Sequence, residues 1–258
     1  EGKIAALIGI EGGHAIEDSL RILRCAYALG ARYMTLTHAN TNNWADSSGD
    51  LDDPTVKHHG GLTPFGEEVV REMNRLGMIV DVSHVSDQTF WDVLRVSRAP
   101  VIASHSSCRA ISHIARNLSD EMIRALAQKG GVICINFGCE FVSQASADAS
   151  PYFNPKLAKQ LRPGERPQVP RARLEDVVAH IERVVKVAGI EAVGIGSDFD
   201  GVECTPIGLE DVSKFPALTE ALLARGYRRD QIAQIYGGNL LRVMRAVEAV
   251  ARQLRSGR

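Results

Sequence analysis

Short runs of consecutive apolar residues alternate along the chain with longer segments whose apolar residues recur at helical spacing. The short runs predict six buried strands, at Lys3–Ile10, Tyr33–Thr37, Met78–Val82, Val101–Ala103, Val132–Asn136 and Ala192–Ile195. Strands that are apolar throughout and separated by helices are typical of a parallel sheet covered on both faces. The pattern therefore predicts an α/β fold built from βα units.

The segments between these strands carry helix start and stop signals. The predicted helices run from Thr63-Pro64 to Gly77, from Ser86 onward, from Ser119 to Gly130, over Leu174–Ala188 and over Asp230–Leu254. Two connections are much longer than ordinary loops, namely Ala39–Leu62 and Glu140–Arg173. Loops of this length on an α/β scaffold usually cover a substrate site, so we expect both near the functional centre.

Composition excludes several classes of protein. The 258 residues are 45% hydrophobic and 24% charged, which is typical of a globular protein. Thirty basic and 31 acidic residues give a net charge of −1, so nothing in the overall charge favours nucleic acid or an anionic membrane. No apolar run approaches the roughly 18 residues that span a bilayer. The five cysteines contain no CxxC pair, and we predict reduced thiols rather than a disulfide framework.

The strand count leaves two architectures to weigh. Six strands suit a doubly wound sheet, but Gly12-Gly13 follows the first strand without the GxGxxG signature of a phosphate-binding turn. A (β/α)8 barrel needs eight strands and about 250 residues, and the two long loops use much of this chain. We therefore expect a single TIM-type barrel domain over residues 1–258 that is incomplete as given.

Polar residues that could act in catalysis or metal binding lie where five of the predicted strands end: Glu11, His38, His84, His105 and Asp198. In a parallel barrel these strand ends meet at one mouth, where catalytic groups gather. One histidine at a strand end is more often structural, but three histidines and two carboxylates in such positions favour a functional site. A carboxylate with two imidazoles suits Zn²⁺ or a similar divalent ion, and Glu11, His84 and His105 form such a set.

Arg116 follows the fourth strand near the same mouth. Its guanidinium could bind a carboxylate through two parallel hydrogen bonds. On the residues alone, an arginine at the surface is an equally good interpretation.

Around these residues the chain resembles the membrane (renal) dipeptidase family, the M19 metallopeptidases, along essentially its whole length. The matching segments are Gly9–His14, Leu36–His38, Trp44–Asp46, Gly61–Gly66, Asp81–Ser86, Ala99–Ser107, Arg116-Asn117, Asp198–Gly201 and Gly208–Lys214. The resemblance implies a (β/α)8 barrel with two zinc ions per site. It implies that Glu11 bridges both ions and that His84 and His105 complete the shell of one.

The same resemblance implies roles at the substrate. His38 matches a histidine that contacts the scissile carbonyl, and Arg116 matches an arginine that binds the substrate or its tetrahedral intermediate. Asp198 matches an aspartate that handles the proton, and Phe141 falls where the family places a substrate-contacting residue. We therefore expect a zinc-dependent dipeptidase in which a hydroxide shared by two metals attacks the peptide bond, with a D-residue accepted at the C-terminal position.

One departure from the family affects the metal centre. The His-x-Asp motif on the family's first strand occurs nowhere in this chain, which begins at the family's third strand. We expect about a hundred further residues before Glu1 in the native protein, bringing two strands and that motif. Without them the chain should hold at most one metal, weakly.

Two other functions remain open. The same ligands would serve an amidohydrolase-like metal hydrolase of another small amide or a lactone, and 258 residues as the native length would favour a non-catalytic fragment. For partners we expect a dipeptide substrate, no nucleic acid and a homodimer. We expect a soluble protein of the bacterial cytoplasm or periplasm, with no transmembrane segment.

Overall fold

The sheet is parallel, and its strands follow one another in chain order. The structure is a computed structural model that describes residues 2, 4–162, 165 and 167–257. Within these residues the strands are β1 (Ile8–Glu11), β2 (Ala31–Thr35), β3 (Ile79–Asp81), β4 (Ile102–Ser106), β5 (Val132–Asn136) and β6 (Val193–Ser197). This order is the topology of successive βα units, which confirms the predicted α/β class. Closure into an eight-stranded barrel stays a prediction.

Helices fill the connections between the strands. In the described part of the chain the α-helices are α1 (Leu20–Ala28), α2 (Pro64–Leu76), α3 (Asp87–Val96), α4 (Asp120–Gln128), α5 (Cys139–Val142), α6 (Gln144–Ala149), α7 (Pro155–Ala158), α8 (Leu174–Ala188), α9 (Phe215–Ala224), α10 (Arg229–Ala233) and α11 (Asn239–Arg255). Short 3₁₀ turns lie at Gly13–Ile16, Ile190–Ala192 and Val212–Lys214. None of the helices among the described residues combines the length and the apolar character needed to cross a membrane.

Helix α2 shows how the predicted signals act. The Thr63 hydroxyl accepts a hydrogen bond from the backbone N–H of Gly66 at 3.3 Å, which satisfies one of the free donors at the helix start. Pro64 occupies the first helical position, where its missing N–H costs nothing. Gly77 ends the helix at φ 91°, in the left-handed region that glycine enters without strain. The predicted bounds of this helix are confirmed.

The chain divides into two compact units. The first comprises Glu1–Ala103, Gln128–Gly131 and Leu241–Arg258, and the second comprises Ser104–Ala127 and Val132–Leu240. Strand β4 begins in the first and ends in the second. The prediction of a single domain over residues 1–258 stays a prediction.

Each unit has its own apolar core. In the first, Met34 of β2, Val80 of β3 and Met73 of α2 are fully buried. In the second, Ile133 of β5 and Ile181 of α8 are fully buried. The apolar residues of α2 and α8 recur at helical spacing, so each helix presents one apolar stripe to its core. Glu72 of α2 is a buried charged residue, and its carboxylate accepts hydrogen bonds from Arg24 and Arg75.

The strand bounds differ from the predicted ones by a few residues. Only Val132–Asn136 agrees at both ends. Strand β1 begins at Ile8, and residues 4–7 directly before it are exposed; Lys3, where that strand was predicted to begin, lies outside the described residues. Strand β4 extends to Ser106, so His105 lies within a strand rather than after one. The apolar run predicts that a strand exists, whereas hydrogen bonding to a neighbour sets its ends.

Two predicted segments need correction. The predicted loop Glu140–Arg173 contains the helices α6 and α7 and most of α5. The predicted helix Asp230–Leu254 is wrong as one continuous helix, because it is interrupted by a π-type turn at Gln234–Gly238, where Gly237 has non-helical backbone angles. Glycine weakens a helix interior, and the Asn239 side chain stabilises the break by donating hydrogen bonds to the carbonyls of Ile190 and Val193 at 2.7 and 2.8 Å.

The prediction that all five cysteines are reduced thiols is wrong. Cys139, at the start of α5, forms a disulfide with Cys204, 65 residues further along the chain. The backbone N–H of Cys139 also donates to the carbonyl of Cys204 at 2.9 Å, so the two segments already lie side by side. Sequence spacing could not show this pairing, because the segments meet only in the folded second unit. Cys25, Cys108 and Cys134 are free thiols.

Candidate metal centre

Glu11, His38 and His84 converge in the first unit. Glu11 is the last residue of β1, and the two histidines follow the ends of β2 and β3. The Nε2 atom of His84 lies 3.1 Å from Oε1 of Glu11, and Nε2 of His38 lies 3.8 Å from Oε2. The two imidazole rings are 4.6 Å apart between centroids. One carboxylate thus faces two imidazoles, as the strand-end pattern predicts.

The backbone holds His84 in an unusual conformation. Its φ of 68° lies in the left-handed region, which a residue with a Cβ adopts at a cost of about 1 kcal/mol. The turn before it is fixed by Asp81, whose carboxylate accepts from the Thr35 hydroxyl at 2.5 Å and from the Ser83 N–H at 3.0 Å. A side chain aimed by strained backbone is a common feature of functional sites.

His105 lies on β4 and is almost entirely buried. Its Nδ1 is 2.7 Å from the Ser104 hydroxyl, a contact that orients the ring. The sequence predicts His105 as a metal ligand together with Glu11 and His84 of the first unit, and this grouping stays a prediction. One carboxylate oxygen with two imidazole nitrogens is a donor set that suits a borderline divalent ion such as zinc.

Arg116 and Phe141 form a pair in the second unit. Both are buried, and the guanidinium carbon of Arg116 lies 5.2 Å from the centroid of the Phe141 ring, within the range of a cation–π contact. Arg116 Nη2 also donates a long hydrogen bond of 3.4 Å to the carbonyl of His105. Since the arginine is buried, the alternative of a surface arginine is wrong.

Asn117 joins the segments that carry this pair, and sequence reasoning assigned it no role. Its side chain is fully buried; Oδ1 accepts from the Ser107 N–H, and Nδ2 donates to the carbonyls of Ser112 and Phe141, each at 2.9 Å. These three bonds use both N–H donors and one acceptor position of the amide side chain. The Arg116 loop is therefore fastened to α5.

Asp198 follows β6, also in the second unit, and is partly exposed. The Nδ2 of Asn136 donates to its Oδ2 at 2.9 Å, and the Oδ1 of Asn136 accepts from the Gly138 N–H at 2.6 Å. Asn136 is a second residue without a predicted role. The signal was present, because Asn136 is the polar last residue of an otherwise apolar strand.

His180 and Cys108, also in the second unit, are buried and hydrogen-bonded to each other. His180 Nδ1 accepts from the Cys108 N–H at 2.9 Å, and its Nε2 lies 3.2 Å from the Val142 carbonyl. Burial lowers the pKa of His180 to about 4 and raises the pKa of the Cys108 thiol to about 12. At neutral pH both are uncharged, so this pair serves structure.

A parallel βα fold that carries carboxylate and imidazole ligands where its strands end belongs to the class of metal-dependent hydrolases. A sequence model of the membrane dipeptidase family, peptidase family M19, matches residues 1–258. The chain therefore belongs to this family of metallo-dipeptidases, as the sequence motifs predict.

Solved structures agree with this assignment. The probable dipeptidase PvdM from Pseudomonas aeruginosa is 31% identical, with a TM-score of 0.83 over 97% of this chain and 71% of that one. A metallo peptidase from Rhodobacter sphaeroides, liganded with a phosphinate mimic of the dipeptide L-Ala-D-Ala, is 27% identical with a TM-score of 0.77, over 93% and 63%. The dipeptidase AC, an M19 metallo peptidase, is 27% identical with a TM-score of 0.78, over 93% and 65%. The chain thus spans less than two thirds of the last two proteins.

Proposed function

We propose that this protein is a zinc-dependent dipeptidase that hydrolyses the peptide bond of dipeptides. The observation that carries the proposal lies in the first unit, where the Glu11 carboxylate has Nε2 of His84 at 3.1 Å and Nε2 of His38 at 3.8 Å, in a member of a metallo-dipeptidase family. The family supplies the reaction class, and these residues supply the chemistry that the reaction needs.

In this proposal Glu11 and His84 would hold a divalent ion, and His105 would be a further ligand, the role that the family resemblance implies for it. The orientation of His105 by Ser104, and the contacts that fix the His84 turn, support such a role, since ligands work best when their surroundings hold them. A bound divalent ion supplies a lowered pKa for water and polarisation of the peptide carbonyl.

The other residues act on the substrate. His38 donates a hydrogen bond from its ring to the oxygen of the scissile carbonyl, where negative charge develops. Asp198 accepts the proton that leaves the attacking water and passes it to the departing amine, while Asn136 holds its carboxylate by the 2.9 Å bond. Arg116 binds a substrate carboxylate or the developing anion through its planar pair of donors, stacked on Phe141.

We propose that dipeptides with a D-residue at the C-terminal position are accepted. The Rhodobacter sphaeroides metallo peptidase, liganded with a mimic of L-Ala-D-Ala, supports this specificity. An arginine that binds the substrate carboxylate fixes the C-terminal end of the substrate. The shape of the pocket then selects the side chain and the configuration of the C-terminal residue.

The test is a substrate panel on the full chain supplied with zinc, comprising L-Ala-L-Ala, L-Ala-D-Ala, an N-acyl amino acid and a lactone. We expect both dipeptides to be hydrolysed and a chelator to abolish the activity. Glu11→Gln should lower metal affinity by at least about tenfold, whereas Glu68→Gln, which changes an exposed glutamate on α2, should leave it unchanged.

The outcomes separate the alternatives. Turnover of the N-acyl amino acid or the lactone without turnover of dipeptides would replace this proposal with the amidohydrolase-like one. A folded protein that binds no zinc and hydrolyses nothing in the panel would contradict both, and the non-catalytic interpretation would then hold.

A further inference from the structure

The loop between β2 and α2 reaches the backbone of two site histidines. Its middle is buried, and Ser47 forms an isolated antiparallel bridge with Val85, the residue directly after His84. Ser47 has no exposed surface, and Ser48 is nearly buried. These two hydroxyls are therefore parts of the structure and not solvated loop groups.

The His84 carbonyl is the main acceptor for this pair. It accepts from the Ser48 N–H at 2.7 Å, from the Ser48 hydroxyl at 3.0 Å and from the Ser47 hydroxyl at 3.1 Å. His84 is also the residue whose φ is 68°, a conformation that persists only where its surroundings determine it. The hydrogen bonds from Ser47 and Ser48 are the surrounding contacts that hold His84 in this conformation.

The Ser47 hydroxyl links His84 to His38. Its oxygen lies 2.6 Å from the His38 carbonyl and accepts from the Gly49 N–H at 3.0 Å. A hydroxyl has one proton to donate, so Ser47 shares it between the carbonyls of His38 and His84. A single buried hydroxyl thereby connects the backbones of the two residues whose imidazoles face Glu11.

We propose that Ser47 and Ser48 are positioning residues that hold the His38 and His84 imidazoles in register with Glu11. The proposal rests on the proposed function for the use of that site, but the positioning itself is a property of the first unit alone. Loss of the Ser47 hydroxyl leaves the His38 carbonyl without this donor and frees the turn at His84.

The experiment compares Ser47→Ala and Ser48→Ala with Ser97→Ala in the full chain. Ser97 is a matched control, because it is equally buried in the same unit and its hydroxyl donates to the Ala99 carbonyl at 2.8 Å. The first readout is the ring nitrogen resonances of His38 and His84 in metal-free protein labelled with ¹⁵N-histidine, assigned by single substitutions. We expect Ser47→Ala to shift both, Ser48→Ala to shift His84, and Ser97→Ala to shift neither.

The second readout is zinc affinity measured by competition with a chelator. We expect Ser47→Ala to weaken it by about 10- to 100-fold, as loss of a group that orients a ligand does, and Ser97→Ala to leave it unchanged. Unchanged resonances in Ser47→Ala would overturn the proposal, as would equal loss of zinc affinity in Ser97→Ala. Shifted resonances in a protein whose parent hydrolyses no dipeptide would support the positioning and contradict the proposed function.

Discussion

Asn136 and Asp198 are joined by a hydrogen bond of 2.9 Å between the amide Nδ2 and the carboxylate Oδ2. Asn136 ends β5, Asp198 follows β6, and these neighbouring strands pair in parallel with Asn136 opposite Ser197. The amide of Asn136 is itself held, since its Oδ1 accepts from the Gly138 N–H. The hydrogen bond from Asn136 thus holds the Asp198 carboxylate in one orientation.

Asp198→Asn should lower kcat for dipeptides by about 10²- to 10⁴-fold, because an amide cannot carry the proton from water to amine. Zinc content should remain that of the parent. Asp200→Asn is the matched control, as Asp200 is exposed and also has positive φ, and its kinetics should be unaffected. Loss of zinc in proportion to activity would make Asp198 a metal ligand instead.

Arg116→Lys should raise KM for dipeptides by about tenfold while retaining the charge, since an ammonium offers neither the planar pair of donors nor the same stacking on Phe141. Steady-state kinetics measure the effect. Arg124→Lys, at an exposed position of α4, should behave as the parent. Equal kcat and KM values for the parent and both variants would show that Arg116 does not bind the substrate.

Stability should fall with acid because of His180. Burial lowers its pKa in the folded protein to about 4 from the ordinary value of 6.5, so between these values the unfolded chain binds more protons than the folded one. The contribution is complete above pH 6.5 and is lost as the pH falls towards 4, and it amounts to about 3 kcal/mol.

Urea unfolding between pH 4 and 7 measures this pH dependence. In His180→Gln the free energy of unfolding should change less steeply with pH than in the parent. In His113→Gln, which changes an exposed histidine, it should change as steeply as in the parent. A pH profile that is the same in all three proteins would show that His180 titrates normally.

The Cys139–Cys204 disulfide should stabilise the protein by constraining its unfolded state. For a loop of 65 residues the chain-entropy relation gives about 4 kcal/mol. The free energy of unfolding should fall by about 2–5 kcal/mol in the double variant Cys139→Ala, Cys204→Ala. Cys25→Ser, at an exposed free thiol, should have no such effect. Identical stability of the parent with and without reductant would show that the bridge is absent in solution.

The sequence predicted six strands and helix α2 to its caps, because apolar periodicity and capping chemistry are local signals. The residues of the candidate centre were predicted from their placement at strand ends and from the family motifs, and their roles stay predictions. It could not predict Ser47, whose importance arises from carbonyls 9 and 37 residues away. Nor could it predict the Cys139–Cys204 bridge, which depends on two segments of the second unit meeting. Tertiary partners decide such features, and the Gly237 break was missed because a strong apolar stripe outweighed two adjacent glycines.

The left-handed backbone at His84 and Asp198, with φ of 68° and 71°, also restricts what natural variation can place there. A β-branched or bulky side chain is disfavoured at such angles whatever its chemistry, while glycine, asparagine and aspartate are tolerated. Few single substitutions at these two positions are therefore compatible with the backbone angles that relatives would share. A lineage that changes either residue freely must first remodel the turn that carries it.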